Sequence, residues 1–420
     1  MTTITRFFFL IIILNSCSST KDLDSANVNQ AKDSLTNELN EVFKKGQFNG
    51  FSVAIVNEKG TLYKKGIGYA NVLTQKKYTE NTIQNIASIS KTFVGIALLK
   101  AQELGKLQLD DPISKYLPFK VVNPFFPEAE ITLRNLATHT STITDNDFYL
   151  KRNYVLKPNQ NLTNVKLYLE DEQVLNPYDS IISMKEYLQN VLTKEGKWYN
   201  KNDFLNHTPG EIFKYSNVAT SLTAYIIEIA TGEPFYKFTE KYILKPLKMS
   251  SSGWRFEDVN LSNYSRLYQY TDTLLPFYSL ITYPDGNFIT SSNDLAKYLT
   301  ELIKGYAGNG TILNQDSYKE YFREQLTAKN FIKRKDSNPY GDEYNLGIFI
   351  GFSVAGNIGH TGGDPGVSSI MFFNPKNKIG RLLIVNTNIN DKKGNDEFYN
   401  IWIKLENYQD KFSTLNTLTK

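Results

Sequence analysis

The chain has 420 residues, 41% hydrophobic and 21% charged, with 47 basic against 43 acidic side chains and a formal net charge of +4. That length supports a large core, in two domains or in one with a sizeable insertion, and the composition is that of a soluble globular protein. The small net charge without a basic cluster argues against nucleic acid as a partner, and a single cysteine, Cys17, excludes an intrachain disulfide.

Residues 1–17 read as a targeting segment. Arg6 is its one charge, and residues 7–14 form an apolar run of eight, too short for a membrane-spanning helix of about 20 residues. The run fits a secretory signal. Leu14-Asn15-Ser16-Cys17 resembles a bacterial lipobox, in which the chain is cut before a cysteine that then carries lipid. The expectation is an exported protein, anchored in the bilayer through Cys17 and facing the periplasm or the cell surface. Residues 18–34 are polar and read as a flexible tether.

Residues 51–56 and 61–63 read as strands joined by a turn at 57–60. The stretch Ala87-Ser88-Ile89-Ser90-Lys91-Thr92 follows. After it Phe93, Val94, Ile96, Ala97, Leu98 and Ala101 recur at helical spacing, and Gly105 ends the run. Ser88 therefore stands at a helix N-terminus, with Lys91 one turn on and on the same face. A serine hydroxyl needs a nearby base to become a nucleophile. A lysine serves when burial or a neighbouring cation keeps it neutral, and the helix N-terminus offers N–H groups to an oxyanion. On these residues alone Ser88 reads equally as a helix cap beside a solvated lysine. A second Ser-x-x-Lys occurs at Ser18 and Lys21, in the polar tail.

A short helix is expected at 133–137, followed by Thr138-His139-Thr140-Ser141. Residues from about 144 to 182 are polar and read as an insertion or long loop system. A helix at 184–192 and the turn Thr208-Pro209-Gly210 lead to Tyr215-Ser216-Asn217, just before an apolar helix at 219–231 closed by Gly232. Tyr215 offers a phenol, and Asn217 an amide that donates and accepts; by themselves they read as a core tyrosine and a helix cap. Residues 235–250 are helical with a break at Pro246, and 295–303 are helical.

The last third changes period. Residues 346–352, 355–359, 367–373 and 381–385 read as strands, with a hairpin turn at 374–378 and a final helix at 397–408. His360-Thr361-Gly362-Gly363-Asp364-Pro365-Gly366 follows a strand-like run. Its glycines allow close approach to the backbone, where a strand edge can offer an N–H; in isolation it reads as a glycine-rich turn with a surface histidine. Strands at both ends with helices between imply an α/β (α+β) fold. One antiparallel sheet is built from N- and C-terminal segments, is flanked by helices, and carries a mostly helical subdomain inserted at about 106–260.

Ser88-x-x-Lys91, Tyr215-x-Asn217 and His360-Thr361-Gly362, in that order, resemble the serine β-lactamase and penicillin-binding-protein superfamily. Leu109-Asp110-Asp111-Pro112, residues 131–136, Thr138-His139-Thr140-Ser141, Thr208-Pro209-Gly210 and Pro246-Leu247 before Met249 resemble it too. The resemblance covers 35–405, leaving a C-terminal tail at 406–420, and is nearest to the class C β-lactamase-like group, which also holds D,D-peptidases, D-amino-acid amidases and esterases. It implies Ser88 as the acylated nucleophile, Lys91 as its base, and Tyr215 as the group moving a proton to and from the leaving group or water. Asn217, His360 and Thr361 would bind substrate, and the backbone N–H groups of Ser88 and Gly363 would form the oxyanion hole.

One departure matters. The third motif usually begins with lysine, a fixed cation for a substrate carboxylate, and here it begins with His360, which is mostly neutral at pH 7. This points to a serine hydrolase acting on a small ester or a D-amino-acid-type peptide. A class C-type β-lactamase or D,D-carboxypeptidase, and a catalytically silent penicillin-binding-like sensor, are the alternatives. Glu172-Gln173-Val174-Leu175-Asn176 matches a class A β-lactamase motif but precedes Tyr215 instead of following it, so no catalytic role is assigned to it. His139 reads as structural and His207 as a loop residue. No metal-ligand spacing is present, and neither metal nor cofactor is expected.

Overall fold

The computed structural model describes residues 17–163, 165–167, 169, 173–332, 338–389 and 391–418. Seven strands form one antiparallel sheet: β1 (Gly50–Asn57), β2 (Gly60–Asn71), β3 (Lys76–Lys77), β4 (Gly351–Phe352), β5 (Ile358–Asp364), β6 (Val367–Asn374) and β7 (Ile379–Val385). Their order across the sheet is β4-β5-β6-β7-β1-β2-β3. The two ends of the chain meet at the centre, where β1 pairs with β7 in a register running from Phe51 opposite Val385 to Asn57 opposite Ile379. This is the sheet expected from the sequence.

Period-two patterning explains why the sheet is covered on both faces. In β1, Phe51, Val53 and Ile55 enter one apolar cluster while Ala54 and Val56 enter another. In β7, Leu383 and Val385 join the first cluster, and Leu382 and Ile384 the second. The second face carries the helices between the two strand groups, including Ser90–Glu103, Asn217–Thr231 and Ser292–Tyr306. The first face is covered by two long terminal helices, Cys17–Phe43 and Lys392–Leu418.

Those two helices depart from the sequence reading. The stretch 18–34 is helical instead of a loose tether, and the helix continues to bury Leu35, Leu39 and Val42 against the sheet. Residues 406–418 extend the final helix instead of forming a tail, with Tyr408 and Phe412 buried. Residues 1–16, which contain the apolar run and Arg6, lie outside the described residues, as does Glu172. The apolar stretch 346–352 pairs as strand only at Gly351–Phe352. Phe349 adopts φ +50, a left-handed backbone that breaks an extended run.

The 144–182 region is stitched into the body. Its strand Tyr154–Leu156 pairs with Tyr278–Leu280, and Asn176 Nδ2 donates to the carbonyls of Lys151, Tyr154 and Val174. The N-terminal helix yields a direct check: Leu39 is fully buried, so Leu39→Ala should destabilise the protein by roughly 2–5 kcal/mol in urea unfolding. A loss below about 0.5 kcal/mol, the scale of a surface change, would mean that this helix does not pack on the sheet.

Candidate active site

Ser88 lies on a single 3-10 turn, Ala87–Ile89, that runs directly into the helix Ser90–Glu103. Ala87 holds φ +48, a strained backbone for a residue with a Cβ, and this sharp entry lifts Ser88 to a partly exposed position. The turn is pinned from both sides. Ile86 N–H donates to Phe288 O at 3.0 Å, and Ser369 Oγ donates to Ile86 O at 2.8 Å. Strand β5 presses on the turn through Gly362, where a Cβ would stand 2.4 Å from Ile86 O and 3.1 Å from Ala87 Cβ. Only glycine permits that approach.

Lys91 is fully buried, as its place on the inner face of the helix requires. Its Nζ lies 2.9 Å from Ser88 Oγ and donates to Asp285 O at 2.6 Å. The Tyr283–Asp285 turn that supplies this carbonyl is held by its own side chain. Asp285 Oδ1 accepts from Tyr149 Oη at 3.0 Å, and Oδ2 from Ser221 Oγ at 3.0 Å. Burial pushes the Asp285 carboxyl up to about 6, against the pull of Lys91.

Tyr215 closes over this pair. Lys91 Nζ is 5.1 Å from the centre of its ring. Behind it His139 stacks at 4.5 Å between ring centroids, and the His360 ring lies 6.2 Å away. His139 is buried with φ +56, and its Nδ1 accepts the Ser216 N–H at 3.2 Å. Burial, then Lys91 and His360, hold its pKa well below the usual histidine value. His139 thus has more than a loop role: it is the platform on which Tyr215 rests. His207, by contrast, sits near the surface beside Glu211 at 3.1 Å.

Asn217 begins the helix Asn217–Thr231, capped by Ser216 Oγ, which accepts from Ala219 N–H. A residue not singled out from the sequence, Asp145, organises this helix start. Its carboxylate accepts from Asn217 Nδ2 at 2.7 Å, from the N–H groups of Asn217 and Val218 at 3.0 Å each, and from Ser216 Oγ at 3.1 Å. A carboxylate is favoured at a helix N-terminus. Here it also turns the Asn217 amide into one fixed orientation.

The third motif lies within β5, and not in a turn after it. Strand β4 pairs only with Ile358 and Gly359, so from His360 onward the outer edge of β5 has no strand neighbour among the described residues. His360, Gly362 and Asp364 share the face turned to the Ser88 turn, whereas a Cβ on Gly363 would meet open space. Gly363 is exposed and Thr361 is half-buried. His360 is 98% buried, and its Nδ1 donates to Thr361 O at 2.5 Å, which leaves Nε2 as an acceptor. Burial, opposed by that carbonyl and aided by Lys91, pushes its pKa down to about 3. The structure therefore brings Ser88, Lys91, Tyr215 and His360 together, with Asn217 two residues beyond Tyr215. Cys17 is not part of this centre; it begins the N-terminal helix. Among the described residues no three His, Cys, Asp or Glu side chains gather as a metal site.

A helix-inserted antiparallel sheet with this serine, lysine and tyrosine between its parts defines the serine β-lactamase and penicillin-binding-protein superfamily. The beta-lactamase family profile matches residues 33–406, and the chain belongs to that family. Protein flp of Staphylococcus aureus strain MRSA252 is 24% identical over 406 residues, 93% of this chain and 72% of that protein. The putative penicillin-binding protein PbpX of Bacillus subtilis strain 168 is 26% identical over 380 residues, 87% of this chain and 77% of that protein. Among solved structures, the D-amino acid amidase of Ochrobactrum anthropi SV3, complexed with L-phenylalanine amide, has a TM-score of 0.63 at 20% identity. The match covers 90% of this chain and 99% of that one.

Two measurements test this geometry. Asp145→Ala strips the acceptor from two backbone N–H groups and the Asn217 amide, and should cost about 1–3 kcal/mol of unfolding free energy. The second concerns Asp364, half-buried at the end of β5. Burial pushes its carboxyl from the ordinary 3.8 up to about 7, with Asp285 adding to the shift and the Tyr154 hydroxyl and Lys91 opposing it. Between those values the folded state holds the proton and the unfolded state does not, so the Asp364 contribution to stability falls as pH rises. Asp364→Asn does not titrate. Its melting temperature relative to wild type should climb from about pH 4 to about pH 7 and then level off; a flat difference would refute a desolvated carboxyl.

Proposed function

We propose that the protein is an exported serine hydrolase that acts through an acyl-enzyme on Ser88, cleaving a small ester or a D-amino-acid-type amide. The observation that carries this reading is the 2.9 Å contact between Ser88 Oγ and the buried Lys91 Nζ. With the amine neutral, the same contact passes the Oγ proton to Nζ as Oγ attacks the substrate carbonyl carbon. The N–H groups of Ser88 and Gly363 receive the oxyanion, a kind of donor typically worth ~10²–10³ in rate. Tyr215 gives a proton to the leaving group as the carbon–leaving-group bond breaks. It takes one back from the water that then splits the ester on Ser88. Asn217 and Thr361 hold the substrate.

The neutral His360 favours esters and amides over β-lactams and D,D-peptides, whose carboxylate seeks a cation at that place. The name of the similar D-amino acid amidase agrees with this choice. In this reading residues 1–17 are a lipoprotein leader, Cys17 anchors the chain in the cell envelope, and 35–405 form the hydrolase domain. Its support is the apolar run at 7–14 and the lone cysteine after it.

Labelling decides between the readings. A fluorophosphonate should label the purified protein, and Ser88→Ala should abolish the label. Lys91→Ala should slow labelling by roughly 10²–10⁴-fold while the fold persists. Stable labelling by a fluorescent penicillin would move the assignment to a penicillin-binding peptidase, and rapid turnover of it to a β-lactamase. A protein that takes no Ser88-dependent label is a silent sensor.

A further inference from the structure

Resting on the acyl-enzyme reading above, we infer that Asp364 selects substrates that carry an ammonium group close to the scissile carbonyl, as an aminoacyl ester or amide does. Asp364 ends β5 one residue after Gly363, on the strand face that looks at the nucleophile turn. Its Oδ2 lies 3.7 Å from the point where a Cβ on Gly286 would stand, and that point is 4.0 Å from Ala87 Cα, next to Ser88. The carboxylate thus borders the space above Ser88.

Its position is built. Tyr154 Oη donates to Asp364 Oδ1 at 2.9 Å. Tyr154 is itself buried against Tyr278, whose hydroxyl donates to Pro365 O at 2.8 Å on the same bend. Oδ2 accepts no hydrogen bond among the described residues, and no ion pair reaches the carboxylate there. A carboxylate removed from water without a cation is costly, and burial accordingly raises its pKa.

His360 provides the second, independent sign. It lies on the same strand face, 98% buried, with its one N–H spent on Thr361 O and with Nε2 lacking a partner. Asp285, whose carboxyl is already held by Tyr149 and Ser221, adds further negative character. Two acceptors therefore face the site from β5 and await a donor. An ammonium offers three N–H groups and a positive charge, which suits both; a carboxylate suits neither.

The test compares alanine methyl ester with methyl isobutyrate, in which a methyl group replaces the ammonium, using the purified full chain near pH 7. The wild type should favour the alanine ester in kcat/KM by about tenfold or more, and Asp364→Asn should bring that ratio close to one. Retained fluorophosphonate labelling of Ser88 certifies that the variant is folded. The wild type gives a second readout that needs no variant: alaninol should slow fluorophosphonate labelling, and isobutyrate at the same concentration should not. Equal slowing of both esters in Asp364→Asn, or no preference in the wild type while Ser88 still labels and turns over the neutral ester, overturns the inference and leaves the hydrolase reading intact. Absence of any Ser88-dependent label removes both.

Discussion

The structure turns on an amine taken out of water. Lys91 is fully buried, and the groups around its Nζ are a hydroxyl oxygen and a backbone carbonyl, with no carboxylate bonded to it directly. An unpartnered amine there is unaffordable, so its acceptors must be placed by something rigid. That explains the Tyr283–Asp285 turn, which is anchored through its own aspartate by Tyr149 and Ser221 from two different elements. It also explains the abrupt start of the serine helix, where a strained Ala87 sets Ser88 back over Lys91. The strain is held in place by close packing: Gly362 and Ser369 on the sheet clamp Ile86, and Phe288 clamps it from the other side.

Around that amine the aromatic and imidazole rings are kept uncharged. His139 and His360 are both buried within the field of Lys91, and both lose affinity for a proton. Tyr215 stands between the two imidazoles and the lysine. A second cation at either position would repel the lysine with little water to screen it. The two histidines therefore act as polar spacers that set the position of the tyrosine without adding charge.

How much of this was legible depends on distance along the chain. Ser88 and Lys91 are three residues apart, so helical spacing alone places them together. The alternation of β1, β6 and β7 equally announces a sheet buried on both faces. Asp145 was not legible, because its partners are more than 70 residues away in sequence and nothing local marks it as a cap. Tyr154 and Asp364 are separated by 210 positions, and the strand that carries Tyr154 has only three residues. The terminal helices were misread for a different reason. Leu35, Leu39 and Val42, and at the other end Ile401, Leu405, Tyr408 and Phe412, do follow helical spacing. However, each stripe is narrow and set in polar sequence, and it gains its meaning only from the sheet it covers. Residues 346–350 failed in the opposite direction: a buried apolar run is no guide to backbone shape, and Ile348 to Ile350 are core residues on an irregular path beneath His139.

The change at the head of the third motif then has consequences beyond one residue. A lysine at 360 would set a second ammonium near Lys91, and a substrate carboxylate would be needed to reconcile the two. With a neutral imidazole there, Lys91 faces Asp285 and Asp364 instead, and the balance of the cleft moves toward negative charge. Two unit charges 4 Å apart differ by about 4 kcal/mol at an effective dielectric constant of 20, and the sign depends on whether the substrate brings an anion or a cation. That term exceeds what shape alone gives in discriminating one small acyl group from another, which is about 1–3 kcal/mol per methylene. Substrate charge, read by β5, therefore outweighs substrate size in this cleft.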